Sequence, residues 1–169
     1  MSTKGDKQTM PKTEYTIEPG KQELVSTVVI DAPRELVYRA YTDPKLFAQW
    51  WGPRRNENKI EKFDIRRGGE WRVIQRGSDG GEHPFRGVTH EAVAPERICQ
   101  TFEYEPMAGH VALQTATFEE LGNKTRIVAQ IVFQSVMDRD GMVASGMQSG
   151  ADESMERLQE LLDTLKSGK

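Results

Sequence analysis

The three histidines, His83, His90 and His110, are the first residues in the chain that suggest metal or acid–base chemistry. Each lies in or beside a different predicted turn or strand. No two of them have the i, i+4 spacing that places a zinc-binding pair on one helix face, and "THEAV" around His90 has no second histidine. Cys99 is the only cysteine, so the chain can form neither an internal disulfide nor a cysteine cluster for zinc. We therefore predict no metal site and no resident cofactor.

Motifs for covalent catalysis and for phosphate binding are also missing from the sequence. The sequence has no Gly-x-Ser-x-Gly nucleophile elbow. The glycine-rich segment "GSDGGE" lacks the lysine of a phosphate-binding loop and precedes a predicted strand, so this segment indicates a hairpin turn. An enzyme would need two titratable groups that converge, for example Tyr104 with His90 or with Glu103. Glu103 and Tyr104 are consecutive strand residues and face opposite ways. The sequence therefore predicts no catalytic residue, although an enzyme remains the second hypothesis.

A glutamine on an apolar strand face is the most informative polar residue. Gln100 alternates with Ile98, Phe102 and Tyr104 in "RICQTFEY", so the four side chains should share one face. An unpaired buried amide costs about 1–3 kcal/mol. Gln100 must therefore bond to a neighbouring side chain, become exposed by strand twist, or serve as a polar anchor inside an apolar pocket.

Two adjacent tryptophans end a predicted helix in "FAQWWGP". Successive helical positions point about 100° apart, so Trp50 and Trp51 cannot fill the same site. Gly52 and Pro53 then end the helix, because glycine accepts a left-handed cap and proline cannot continue a helix. Either ring could have a purely structural role. We expect one ring to seal the core and the other to border a cavity.

The remaining cavity candidates come from strand alternation and helix periodicity. Trp71 alternates with Val73 and should point inward, and the C-terminal helical pattern carries methionines that adapt to varied apolar ligands but are also common core filler. The full set of predicted ligand-binding residues is Trp50, Trp51, Trp71, Val73, Phe85, Gln100, Phe102, Tyr104, Met142 and Met147.

Composition narrows the function classes. The chain has 169 residues, a net charge of −3 and 29% charged residues, which suits one ordinary domain. Basic residues are scattered among acidic ones, so a nucleic-acid partner is not expected. No apolar run approaches the roughly 20 residues that cross a bilayer, and the N-terminus has no secretory-signal core. We therefore expect a cytoplasmic protein without membrane insertion.

The order of predicted elements indicates an α+β fold. Residues 1–20 lack periodicity and are predicted to be a flexible tail, followed by one domain over residues 21–167. Within the domain, one strand is followed by two short helices, six strands joined by short turns, and one long amphipathic helix. An antiparallel sheet wrapped around one straight helix cannot touch it everywhere, so a cavity should remain between them.

Several segments together resemble a known family. They are "VIDAPRELVYRAYTDPKLFAQWWGP", "FDIRRGGEWRV", "GEHPFRGVTHEAVAPERICQTFEYE", "TATFEELGNKTRIVAQIVF" and "GMQSGADESMERLQELL". In this order, from about residue 23 to 165, they resemble the START-like (SRPBCC) superfamily, in the branch named for homology to activators of the heat-shock-protein-90 ATPase. The resemblance implies a helix-grip fold: a seven-stranded antiparallel sheet wrapped around a long C-terminal helix, with a deep apolar pocket.

The resemblance and the residues together favour one function over two others. We expect a binder of a small hydrophobic or amphipathic molecule, acting as a monomer or homodimer. The alternatives are a small cyclase, dehydratase or hydrolase that uses the same cavity, and a chaperone-associated interaction module with a weak protein partner.

Overall fold

The computed structural model describes residues 10–168. Eight strands form one sheet: β1 Glu14–Thr16, β2 Glu23–Ile30, β3 Asn56–Phe63, β4 Glu70–Gly77, β5 Glu82–Val93, β6 Arg97–Tyr104, β7 Val111–Leu121 and β8 Lys124–Val132. Four α-helices accompany them: α1 Arg34–Thr42, α2 Pro44–Trp50, α3 Val136–Ala144 and α4 Met147–Lys166. No helix in this described range is long and apolar enough to cross a membrane.

The sheet is antiparallel throughout and has the order β1-β2-β8-β7-β6-β5-β4-β3. Strands β3 to β8 form a meander, because each is joined to the next by a short turn. Strand β2 pairs with β8, so the first long strand and the last one are neighbours near the β1 edge of the sheet. The predicted helix-grip arrangement of an antiparallel sheet with a long C-terminal helix is confirmed, with eight strands instead of seven.

The additional strand lies in the segment that we predicted to be a tail. Glu14–Thr16 pairs with β2 in the register Tyr15↔Ser26, so the tail prediction is wrong for these residues. A three-residue edge strand is too short to show an alternating pattern, which is why the sequence did not reveal it. Residues 1–9 of the predicted tail lie outside the described residues.

The C-terminal segment forms two helices, so the prediction of one long amphipathic helix is wrong in its extent. Helix α3 ends at Ala144, and Gly146 adopts φ +85° before α4 begins at Met147. A left-handed backbone cannot continue an α-helix, and glycine adopts it at little cost. The glycine-rich sequence "GMVASGMQSG" thus changes the direction of the chain just before α4.

Helix α4 packs in two different ways along its length. In its second half, Leu158 and Leu162 are fully buried in the main core, together with Val37 and Ala40 of α1. Its first half carries the smaller residues Gly150, Ala151 and Ser154. Short side chains fill less of the space between a helix and a sheet, so the first half of α4 is where a hollow can form.

Candidate functional site

A cavity of about 200 Å³ lies between the inner face of the sheet and the first half of α4. Its floor contains a row of small side chains, because Ser26, Ala129 and Ala116 are register partners on β2, β8 and β7. Ala151 and Ser154 line it from α4. Small residues of the sheet and small residues of α4 thus face each other. The distance between sheet and helix is set by the larger core residues in the second half of α4, so a hollow remains between the small ones.

Aromatic rings form the opposite wall. Trp51 stacks on Phe47 with ring centroids 5.4 Å apart and meets Trp71 edge to face at 6.3 Å. Trp71 in turn stacks against Phe102 at 6.0 Å. These separations are those of favourable aromatic pairs, so the rings support one another and keep the wall in place when the cavity is empty.

Trp50 has both of the roles that we expected to be divided between two rings. Its indole is 2% exposed, lines the cavity, and donates from Nε1 to the carbonyl oxygen of Ala40 at 2.9 Å. Trp51 is only partly buried and also lines the cavity. Both rings border the hollow, and Trp50 additionally fixes α2 to α1.

The turn after Trp51 is held against α4 by polar contacts. Gly52 has φ +85°, and its N–H donates to Ser154 Oγ at 2.8 Å. A Cβ at this glycine would collide with the side chain of Gln75.

Arg157 of α4 binds the backbone at the end of α2. Its guanidinium donates to the carbonyl oxygens of Gln49, Trp51, Gly52 and Pro53. Burial among these groups lowers the pKa of Arg157 from its usual value. The carbonyls that α2 leaves unpaired at its end are thus satisfied by α4.

Trp71 reaches its position because β5 has a glycine beneath it. Trp71 and Gly87 are register partners, and the indole Nε1 passes over Gly87 to donate to the carbonyl oxygen of Thr101 on β6, at 3.2 Å. A Cβ on Gly87 would lie 2.5 Å from this nitrogen and would also collide with the Thr101 carbonyl. The position of Trp71 in the cavity wall therefore requires glycine at position 87 of β5.

Polar side chains interrupt the apolar lining at one place on the sheet. Gln100 and Gln114 are register partners on β6 and β7, and both line the cavity. Gln100 accepts a hydrogen bond at Oε1 from the Thr89 hydroxyl at 3.3 Å. Within residues 10–168, the amide of Gln114 forms no hydrogen bond with another residue. Of the alternatives for Gln100, a bond to a neighbouring side chain is therefore present, with Thr89, and the NH2 group of the Gln100 amide donates to none of the described residues.

The N-terminal segment closes one side of the cavity. Thr13 lines the hollow, and Tyr15 donates from its hydroxyl to Asp152 Oδ1 of α4 at 2.7 Å. Burial and the neighbouring carboxylate raise the pKa of the Tyr15 phenol, so the donor stays protonated at neutral pH. The Thr13 hydroxyl lies near this phenol without hydrogen-bond geometry and has no partner among the described residues. We call residues 13–16 the N-terminal strap.

Removing the Tyr15 hydroxyl should loosen the strap. We expect Tyr15→Phe to cost about 1 kcal/mol at the strap, because the hydroxyl donor shared by the Asp152 carboxylate and the Gln148 carbonyl is lost while the ring remains. Amide exchange in β1 should become roughly five-fold faster, with little change in β6 and β7. Hydrogen-exchange mass spectrometry measures this. Tyr38→Phe is the matched control, since the Tyr38 hydroxyl bonds to none of the described residues. Equal exchange rates in both variants would show that Tyr15 does not hold the strap.

Five of the ten residues predicted from the sequence line the cavity. They are Trp50, Trp51, Trp71, Gln100 and Phe102. Val73 and Phe85 lie one layer behind the lining: Val73 is fully buried in the core, and the Phe85 ring is 5.2 Å from those of Trp51 and Phe102. Whether any of these residues binds a ligand remains a prediction.

The other three predicted residues lie away from the cavity. Tyr104 continues the face of Gln100 past the end of the hollow, where its hydroxyl is 2.9 Å from Nδ1 of the exposed His83. Met142 and Met147 pack in a second, smaller core cluster with Leu24 and Phe133. Met155 lines the cavity instead, since it lies about two turns further along α4 than Met147.

Every side chain that lines the described cavity is neutral at pH 7. The lining contains aromatic, aliphatic, hydroxyl and amide groups, and no Asp, Glu, Lys, Arg or His. Tyr41 is its one titratable residue, and burial raises the pKa of its phenol, which keeps it protonated. Among residues 10–168, no group of three or more His, Cys, Asp and Glu side chains is close enough to hold a metal ion. The arrangement can enclose a neutral molecule and offer it hydrogen bonds.

Solved structures share this architecture. A protein from Arthrobacter aurescens, determined by solution NMR, is 23% identical with a TM-score of 0.81, over 89% of this chain and 91% of that one. A crystal structure from Rhodobacter sphaeroides is 24% identical with a TM-score of 0.81, over 89% of this chain and 99% of that one. A third, from Chromobacterium violaceum, is 26% identical with a TM-score of 0.75, over 83% and 96%. These similarities establish the fold.

The family follows from the sequence itself. Comparison with curated proteins gave no match. The model of one protein family, in contrast, matches residues 31–163, from the residue after β2 to the last turns of α4. This range includes both short helices, six of the eight strands and most of α4. The chain therefore belongs to the family of activator of Hsp90 ATPase homolog 1-like proteins, within the START-like (SRPBCC) fold class.

Proposed function

We propose that the protein binds a small hydrophobic or amphipathic molecule in the cavity between the sheet and α4. The observation that carries this proposal is the hollow of about 200 Å³ with an aromatic wall and a floor of small residues. Well-packed interiors contain few voids larger than a water molecule, so a hollow of this size in the core suggests that something occupies it. The family's fold class commonly binds hydrophobic ligands, which agrees with the proposal.

Apolar burial alone is sufficient for useful affinity. Removing about 250 Å² of ligand surface from water at about 25 cal/mol/Å² contributes about 6 kcal/mol before ordering costs. Because the aromatic wall is supported by its own stacking and by the hydrogen bonds of Trp50 and Trp71, little is lost in ordering the site. Dissociation constants in the micromolar to millimolar range are the consequence.

Binding can be located by NMR. Cumene (isopropylbenzene), titrated into the ¹⁵N-labelled protein, should shift saturably the amide signals of residues 98–102, 129–131 and 151–155, and the indole N–H signals of all three tryptophans, which all line the cavity. Shifts confined to the outer sheet face, for example around Leu113 and Val132, or no saturable shifts at all, would overturn the proposal.

The geometry supports the two alternative functions less well. Neither Tyr104 nor a histidine or carboxylate lies among the described lining residues, so the acid–base pair that an enzyme needs does not converge there.

An interaction module would be favoured by a large exposed apolar patch on the outer sheet face. Leu113 and Val132 are neighbours there and are 42% and 38% exposed, but two side chains form only a small patch.

A further inference from the structure

We infer that the ligand is a neutral, single-ring molecule whose polar substituent forms hydrogen bonds with the paired amides of Gln100 and Gln114. This inference rests on the proposed binding function and adds the chemical class of the ligand. Three properties of the cavity lead to it: its volume, the absence of charge among its described lining residues, and the position of its two amides.

The volume sets the size of the ligand. A cavity of about 150 Å³ in a protein core can hold benzene. The hollow of about 200 Å³ therefore accepts one ring with a substituent of a few non-hydrogen atoms. A sterol or a long acyl chain is larger than this volume.

The neutral lining sets the charge of the ligand. A carboxylate or ammonium group inside this cavity would lose part of its hydration and find no opposite charge on the described lining residues. Burial of an unpaired ion is far costlier than burial of a neutral polar group that finds hydrogen bonds. A neutral ligand is therefore preferred over an ionised one of the same shape.

The two glutamines set the position of the polar substituent. They are cross-strand partners on β6 and β7, so their amides enter the cavity side by side. The Thr89 hydroxyl uses one of the two acceptor positions on the Gln100 carbonyl, so both amides keep their donors and Gln114 offers the less occupied acceptor. A planar group with both a carbonyl oxygen and an N–H or O–H satisfies this pattern, as a carboxamide does.

Three probes of nearly equal shape test the inference: benzamide is neutral and polar, benzoate is charged, and cumene is apolar. Dissociation constants are measured by NMR titration for the wild type, for Gln114→Leu, and for Gln130→Leu. The last variant is a matched control, since Gln130 lies on the outer face of β8 and bonds to Glu23. Leucine at position 114 removes no hydrogen bond within the described structure, so this variant should fold.

We expect wild-type protein to bind benzamide at least tenfold more tightly than benzoate. Gln114→Leu should weaken benzamide binding about tenfold and leave cumene binding unchanged or stronger, whereas Gln130→Leu should change neither. Gln100→Leu should reproduce the benzamide effect, although it also leaves the Thr89 hydroxyl without its partner.

The outcomes separate this inference from the proposed function. If cumene shifts the cavity signals but Gln114→Leu does not alter the ratio of benzamide to cumene affinity, the paired amides do not select the ligand and the inference is overturned, while the binding function stands. Benzoate that binds as tightly as benzamide overturns the inference in the same way. If no probe shifts the cavity signals, both the function and the inference fail.

Discussion

Ala129→Phe is expected to remove measurable binding of cumene. Ala129 occupies the middle of the row of small side chains on the cavity floor, between Ser26 and Ala116. A phenylalanine ring there would take up most of the volume that a single-ring ligand needs. Affinity should fall by about a hundredfold or more, equivalent to at least about 2.7 kcal/mol. Isothermal titration calorimetry or tryptophan fluorescence would measure the change.

The control for this variant is Val132→Phe on the same strand. Val132 points to the outer face and is 38% exposed, so its replacement adds the same ring without entering the hollow. We expect wild-type affinity for cumene in this variant. If Ala129→Phe folded stably and still bound cumene with wild-type affinity, the ligand would have to lie elsewhere.

Gly87→Ala is expected to give the largest loss of stability among single-methyl additions to the sheet. The new Cβ would collide with the Thr101 carbonyl and lie 2.5 Å from the indole nitrogen of Trp71. Strand β5 would have to move from β6, or Trp71 would have to leave its hydrogen bond. Overpacking combined with loss of that bond should lower the free energy of unfolding by about 2–4 kcal/mol, measured by chemical denaturation.

Gly141→Ala provides the opposite control. A Cβ on Gly141, in α3, would meet no atom within 4 Å, so the same substitution should stabilise the protein by up to about 1 kcal/mol through helix propensity. The indole N–H signal of Trp71 should move in Gly87→Ala and remain in place in Gly141→Ala. Equal stabilities of the two variants would contradict the packing described around Trp71.

Strand alternation was the most useful guide from sequence to site. It placed Ile98, Gln100 and Phe102 on one face, and all three line the cavity. It also included Tyr104, because alternation within a strand does not tell where the hollow ends along that strand. Tyr104 lies beyond this point and pairs with His83.

Features that depend on the alignment of separate strands could not be predicted. The pairing of Ala116 with Ala129, and of Gln100 with Gln114, is set by turn geometry and strand register, which single-strand patterns do not determine. Gln114 was therefore missed, although it alternates with Ala112 and Ala116 in "VALQTATFEEL". That alternation is the signal that could have identified it.

The helical part of the site shows a second limit. Periodicity predicts an amphipathic C-terminal helix, but it does not tell which of the methionines in that segment lie beside the cavity. Gly146 separates Met142, which lies in α3, from α4. Met147 is the first residue of α4, about two turns before Met155, and of these methionines only Met155 lines the cavity. The glycines in the segment "GMVASGMQSG" are weak helix formers, but composition alone does not tell at which of them the helix breaks.

Intermolecular nuclear Overhauser effects between bound cumene and the protein test the central claim most directly, since they show whether a ligand enters the space between sheet and α4. We predict contacts from cumene protons to the methyl groups of Ala129 on the sheet and Ala151 on the helix, and to the Trp51 ring. The account would be contradicted if, at saturating cumene, no Overhauser effect joined cumene to either methyl group. An Overhauser effect between the Ala129 and Ala151 methyl groups in the same sample would then show that the space between them is closed.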